Sequence, residues 1–247
     1  MEDRYEILSV TYNTPDGNPE PMVNMERLFA LAGVDLTAMN PDEENEELDK
    51  LYSLFGECYA ETSDKFEYKV CYTAVGYAVR EDREIDIDFA QFKSEDLLNS
   101  LLGCEYVVPF AVTLGSNVHE FIRDYKTDDP KKKQCMIALA YERLFTLCDA
   151  FGDDLNAVVR QEGRTLKPFL QPGDGDFPAE LRTDFVRVLN TEKEIGLKMN
   201  EDGSFDPVLS VTGIFCVTEA GTVAPYDDCA PELCATCGNT DCPSRQK

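Results

Sequence analysis

The apolar segment Cys104–Thr113 (CEYVVPFAVT) restricts the possible folds of this chain more than any other feature. A half-exposed strand alternates apolar and polar residues, whereas this run is almost continuously apolar and of strand length. We therefore expect an inner strand that is buried on both faces. Pro109 has no amide hydrogen, so we also expect a bulge or an unpaired amide position within it.

Helical and strand patterns follow one another irregularly around this segment. Further strands are predicted at 5–12 (an edge strand), 66–80, 84–92, 195–199 and 209–217. Helices are predicted at 25–31, 42–60, 94–102, 116–125, 129–159 and 178–189. Because no βα rhythm, glycine-rich phosphate loop or internal repeat is found, we predict an α+β fold: a single domain with a largely antiparallel, twisted sheet flanked by helices.

The charge and composition exclude several classes of function. The chain has 247 residues, 43% of them hydrophobic, and a formal net charge of −25. This charge argues against nucleic acid or an anionic membrane as a partner, and it permits docking to a basic protein. No apolar run reaches the roughly 20 residues of a membrane span, and the acidic N-terminus does not resemble a secretory signal. We therefore expect a cytoplasmic protein.

The stretch 167–180 (KPFLQPGDGDFPAE) is rich in proline and glycine. Proline fixes φ and removes a donor, and glycine admits left-handed conformations, so the stretch forms neither helix nor inner strand. An exposed, constrained loop is a candidate binding surface, and a plain connector is the alternative. Gly213, within the strand at 209–217, predicts a close approach by another backbone or by a ligand. The loop and this strand are therefore expected to flank one site.

The cysteines are distributed unevenly. Six of the ten lie in apolar segments, which predicts reduced core thiols. The other four form a C-x4-C-x2-C-x4-C pattern in a tail with few apolar residues: Cys229, Cys234, Cys237 and Cys242. Four thiolates at such spacing favour an iron–sulfur cluster or a zinc ion over free or disulfide-bonded cysteines.

Several motifs together resemble one known family. They are PFAVTLG at 109–115, PGDGDFPAEL at 172–181, EIGLKMNEDGSFDPVLSVTGIF at 194–215 and the tail ending in CPSR. In order and spacing they resemble the activation (reactivation) domain of cobalamin-dependent methionine synthase, in its standalone form. The resemblance implies a domain at about 25–220, preceded by a strand and loop at 1–24 and followed by the cysteine-rich tail at 221–247.

The resemblance also implies a function. In the family, the domain binds S-adenosylmethionine and covers a cobalamin domain, whose inactive Co(II) form is reduced by one electron and remethylated from S-adenosylmethionine. The chain would then be a component of a methyltransferase system and partner a separate corrinoid protein, with no catalytic residue of its own. The residues expected at the cofactor are Pro172, Gly173, Asp174, Gly175, Pro178, Ser210, Val211 and Gly213.

Two positions depart from the family pattern. Asp174 stands where the family usually has tyrosine, and Phe169 stands at about the position of an arginine in full-length synthases. Loss of an arginine removes a bidentate partner for a carboxylate. Two alternatives therefore remain: an iron–sulfur or zinc protein that docks to a corrinoid protein as electron carrier or scaffold, and an interaction module that has kept only the fold.

Overall fold

The computed structural model describes residues 5–13, 18–34 and 46–221. Within these ranges the strands are β1 (Leu8–Thr11), β2 (Lys69–Tyr72), β3 (Ala78–Val79), β4 (Ile85–Asp86), β5 (Gln91–Phe92), β6 (Cys104–Thr113), β7 (Lys198–Met199), β8 (Phe205–Asp206) and β9 (Ser210–Thr218). The helices are α1 (Met25–Leu31), α2 (Glu46–Thr62), α3 (Glu95–Leu101), α4 (Asn117–Asp124), α5 (Pro130–Arg160), α6 (Leu181–Val188) and α7 (Thr191–Ile195). A short 3-10 turn, Ser63–Lys65, follows α2.

The central sheet is antiparallel and has the strand order β1-β2-β6-β9. β6 and β9 pair from Cys104 opposite Thr218 to Thr113 opposite Ser210. β1 pairs with β2 at one edge, as expected for an edge strand. The predicted α+β fold, one domain with a largely antiparallel sheet and flanking helices, is confirmed.

Both faces of the central sheet are covered, which explains why β6 and β9 are apolar without alternation. Val211, Phe215 and Val217 of β9 lie in the main core with residues of α1, α2 and α5. Ile214 and Cys216 point to the other face, into a second core with residues of α3 and α6. Every residue of β9 is buried, and the prediction that β6 is an inner strand is confirmed.

Two helices begin at residues whose side chains cap the first amides. The side chain of Ser94 accepts a hydrogen bond from Leu97 N at 3.0 Å and starts α3. Asp129 accepts from the amides of Lys131 and Lys132 and starts α5, with Pro130 in the first turn. These contacts satisfy amides that have no partner within the helix.

The prediction of one strand at 66–80 is wrong, and Pro109 provides the reason. β2 ends at Tyr72, opposite Phe110, and the next strand, β3, begins only at Ala78. Thr73 N still donates to Pro109 O at 3.2 Å, but Pro109 has no amide to return the bond. The expected unpaired position is thus present at Pro109, whereas the register shift of β6 lies between Cys104 and Tyr106.

The segments 84–92 and 195–199 also differ from prediction. The first is a hairpin of β4 and β5, because Asp88 adopts a left-handed conformation and its amide donates to the Asp86 carboxylate. In the second, Ile195 ends α7 and Gly196 adopts φ +76, so only Lys198–Met199 is strand. Short alternating runs match these turns as well as they match strands.

A buried charged pair on α5 holds the segment before α1. Glu142 and Arg143 are 0% and 1% exposed, and Arg143 Nε donates to Glu142 Oε2 at 2.9 Å. Glu142 Oε1 accepts from Asn24 N at 2.7 Å, and Arg143 Nη1 donates to Pro21 O at 2.7 Å. These hydrogen bonds offset part of the cost of removing both charges from water, because Arg143 Nη2 is buried without a hydrogen-bond partner among the described residues.

Among the helices in the described ranges, none is both long and apolar enough to cross a lipid bilayer.

Candidate functional site

The loop at 171–180 leaves the sheet from the open edge of β9. The residues just before it, 165–170, run antiparallel to β9, with Leu166 opposite Val217 and Leu170 opposite Ile214. Lys167 N donates to Cys216 O at 2.9 Å, and Leu170 and Ile214 exchange backbone bonds of 3.1 and 2.9 Å. The structure therefore places the proline- and glycine-rich loop beside the strand that carries Gly213.

Gly213 lies where β9 faces the backbone of Leu170. A Cβ at this position would stand 2.7 Å from the ring of Phe110 and 3.2 Å from Leu170 O. Such distances are shorter than ordinary contacts, so a side chain would displace the ring or the backbone. The predicted close approach by another backbone is confirmed, and that backbone belongs to the segment leading into the loop.

The loop itself is a tight turn that is anchored at both ends. Gly173 N donates to Phe177 O at 2.7 Å, and Phe177 N donates to Asp174 O at 2.9 Å. Gly173 and Gly175 have φ values of +106 and +53, which favour glycine. Pro172 and Phe177 are buried, whereas residues 173–176 are exposed. The turn thus presents backbone and small side chains to solvent.

Asp176 ties the turn to the first residues of α3. Ser94 Oγ donates to Asp176 Oδ1 at 2.6 Å, and Glu95 N donates to Oδ2 at 2.6 Å. The Ser94 hydroxyl, followed by the backbone amides, lowers the pKa of this carboxyl below its ordinary value. A Cβ on Gly175 would overlap the Asp96 carboxylate, and the positive φ at this residue also favours glycine.

The eight predicted cofactor residues fall into two groups. The turn brings together Pro172, Gly173, Asp174, Gly175 and Pro178, with Gly213 beside Leu170 at its base. Ser210 and Val211 lie inside the sheet: Ser210 Oγ is 2.8 Å from Thr113 Oγ1 and from Pro207 O, and Val211 packs in the main core. These two side chains are occupied by the protein itself.

Sequence reasoning missed Arg182, which lies in the first turn of α6. Its Nε donates to Pro172 O at 3.0 Å. Its Nη2 is 2.6 Å from the position that a Cβ on Gly173 would occupy, so the guanidinium lies against the glycine. A cation in the first turn interacts unfavourably with the positive end of the helix dipole. This unusual position was the sequence signal that could have identified Arg182 as a functional residue.

The remaining residues that the sequence analysis singled out are Phe169 and the four tail cysteines. The Phe169 ring packs against Phe110 and Phe215, with ring centroids 5.4 and 5.5 Å apart, and supplies no charge to the turn. Cys229, Cys234, Cys237 and Cys242 lie outside the described residues. Within residues 5–13, 18–34 and 46–221, no group of three or more metal-ligating side chains is found.

An open groove lies elsewhere on the surface. It has a volume of about 550 Å³ and is lined by Lys65 of the 3-10 turn and by residues of α4 and the segment just after it, including Phe121 and Tyr125. None of its lining residues belongs to the turn at 172–178. Because none of its lining residues is among the eight predicted at the cofactor, we place the candidate site at the turn.

Comparison with known proteins identifies a structural neighbour. No protein-family model and no curated protein matches the sequence. Among solved structures, the chain resembles the "MetH Reactivation Domain bound to AdoHcy", with a TM-score of 0.62 and 13% sequence identity. The match covers 90% of this chain and 81% of that chain. At this identity the likeness shows that the two share a fold.

Proposed function

We propose that this protein is a reactivation partner of a cobalamin-dependent methionine synthase or of a related corrinoid protein. The observation that carries the proposal is the shared fold with a MetH reactivation domain that binds AdoHcy, the demethylated form of S-adenosylmethionine. The motifs at 109–115, 172–181 and 194–215 point to the same family. The six free cysteines of the described residues agree with a cytoplasmic location, which is part of the proposal.

In this proposal the chain binds S-adenosylmethionine at the turn 172–178 and holds its sulfonium methyl group towards the partner. The partner's cobalamin, once reduced by one electron, supplies the nucleophile that accepts the methyl group. No general base is required of this chain, because its part is to bind and orient the methyl donor. The exposed backbone of Gly173 and the carboxylate of Asp174 are the groups that the turn offers.

Calorimetry with S-adenosylmethionine, with and without a methionine synthase lacking its own activation domain, tests the proposal. We expect binding, and reactivation of the Co(II) partner when an electron donor is supplied. Asp174→Tyr should strengthen binding or turnover, because it restores the residue usual in the family. Absence of binding under both conditions would refute the binding role. If neither affinity nor turnover changes in the variant, the turn is only architectural.

The tail cysteines support a second candidate function, that of an electron carrier or scaffold for a corrinoid protein. Their C-x4-C-x2-C-x4-C spacing offers four thiolates to an iron–sulfur cluster or to zinc. Protein purified without air distinguishes the cluster from zinc. An iron–sulfur cluster gives a visible absorption spectrum and contains iron and sulfide, whereas a zinc site is colourless and contains zinc. Replacing Cys234 and Cys237 by Ser tests the role: loss of reduction alone supports electron transfer, whereas full reactivation excludes it.

A further inference from the structure

Arg182 is held so that its charge faces the exposed part of the turn. The bond from Nε to Pro172 O, 3.0 Å long, fixes one side of the guanidinium. The Nη2 atom lies against Gly173, 2.6 Å from the position of an added Cβ. The side chain is half-buried, and Nη1 and Nη2 form no hydrogen bond with a described residue. The terminal nitrogens are therefore positioned to meet a ligand at Gly173.

Arg182 also differs in charge environment from seven other arginines of the chain. Among the described residues, those that form salt bridges with carboxylates are Arg27, Arg80, Arg83, Arg123, Arg143, Arg164 and Arg187. Arg182 forms none with any residue of the described ranges, although the chain carries a net charge of −25. Asp176, in the same turn, is bound to Ser94 and Glu95 instead. An arginine that remains without a carboxylate in so acidic a protein is available for an anionic group of a ligand.

S-adenosylmethionine carries one such group. Its sulfonium and its α-amino group are cationic, so its α-carboxylate is the anion that an arginine can bind. We propose that Arg182 binds the α-carboxylate of S-adenosylmethionine at the Pro172–Gly173 turn, an inference that rests on the proposed function. Arg182 thereby supplies, from α6, the guanidinium that Phe169 does not offer.

Decarboxylated S-adenosylmethionine provides a test that requires no variant, because it keeps the sulfonium and the amine but lacks the carboxylate. In calorimetry, we expect the wild-type protein to bind it about 10- to 100-fold more weakly than S-adenosylmethionine, the range for a hydrogen bond between charged groups. Arg182→Gln should weaken S-adenosylmethionine by a similar factor and leave the decarboxylated compound unchanged. The control is Arg187→Gln, an exposed arginine of the same helix paired with Asp184, which should alter neither affinity.

The outcomes separate this inference from the proposed function. Equal affinity of the wild type for both compounds, or an equal loss for both in Arg182→Gln, would overturn the role of Arg182 while S-adenosylmethionine binding stands. If the wild type binds neither compound, the proposed S-adenosylmethionine binding is refuted, and the role of Arg182 is refuted as well. Circular dichroism tests whether Arg182→Gln is folded. If the variant does not fold, the affinities of the wild-type protein for the two compounds still test the inference.

Discussion

At the scale of single residues, Gly213 shows how packing, rather than backbone conformation, requires a glycine. Its φ is not in the left-handed region, yet Phe110 and Leu170 O leave no space for a Cβ. The Phe110 ring is itself held, since it stacks on Phe215 with a centroid distance of 4.9 Å and contacts Phe169 at 5.4 Å. The sheet, the main core and the segment leading to the turn therefore meet at this one position.

Gly213→Ala is expected to destabilise the protein by about 1–3 kcal/mol, because overpacking forces neighbouring groups to shift. Urea unfolding at neutral pH measures the change. The matched control is Gly56→Ala in α2, where a Cβ meets no atom within 4 Å. Alanine there should stabilise the helix by about 0.5–1 kcal/mol. Equal effects of the two substitutions would contradict the packing argument.

At the scale of elements, the turn is positioned by its contact with α3 as well as by the edge of β9. Asp176 reaches from the turn to Ser94 and to the first amides of α3. Phe177, next to it, is buried against Phe92 and Phe185. The orientation of Gly173 and Asp174 therefore depends on α3, which precedes the turn by some eighty residues in sequence.

Asp176→Asn should lower the stability at pH 7 and remove a pH dependence. Because the folded pKa of Asp176 is lowered, its stabilising contribution is present above the unfolded pKa, about 3.9, and is lost as the pH falls through the folded value. The difference between wild type and variant should therefore shrink below about pH 4.

Urea unfolding at pH 7 and at several acidic pH values measures this difference. Asp174→Asn is the matched control, since the Asp174 side chain makes no hydrogen bond to a described residue. It should show no such dependence. A stability difference for Asp176→Asn that persists unchanged at low pH would mean that the carboxylate charge is not what holds the turn.

At the scale of the whole molecule, the negative net charge influences binding to partners rather than the fold. A net charge of −25 produces a field that favours encounter with a basic surface. In the proposed function, this surface belongs to the separate corrinoid protein. The core does not depend on this charge, because the residues that build it are apolar, apart from a few such as Glu142 and Arg143.

Binding to the corrinoid partner is accordingly expected to weaken by about tenfold when NaCl rises from about 50 to about 300 mM, since salt screens exposed charges. Calorimetry or light scattering with the partner measures the affinity. S-adenosylmethionine, a small ligand, should respond much less and serves as the internal control. An affinity for the partner that does not change with salt would exclude electrostatic docking.

Strong local patterns allowed much of the fold to be predicted. Long periodic segments such as α5 were identified by their helical spacing, and the apolar run of β6 was identified by its length and its β-branched and aromatic residues. The strands predicted at 66–80 and 84–92 were wrong, since their ends depend on Pro109 and on the turn at Asp88. The turn at 172–178 was recognised from its prolines and glycines, whereas Arg182 was not.

The sequence by itself determined the α+β class, the buried strands and the exclusion of helix and inner strand from 167–180, because these follow from apolar periodicity and from the restrictions of proline and glycine. Only the tertiary structure decided what the turn contacts. Leu170 meets Ile214, Asp176 meets Ser94, and Arg182 meets Pro172 without a carboxylate from the described residues. The first two contacts join residues far apart in sequence, and the third depends on how α6 folds back over the turn. The packing of the chain, rather than local conformational preference, therefore determines which groups contact the turn.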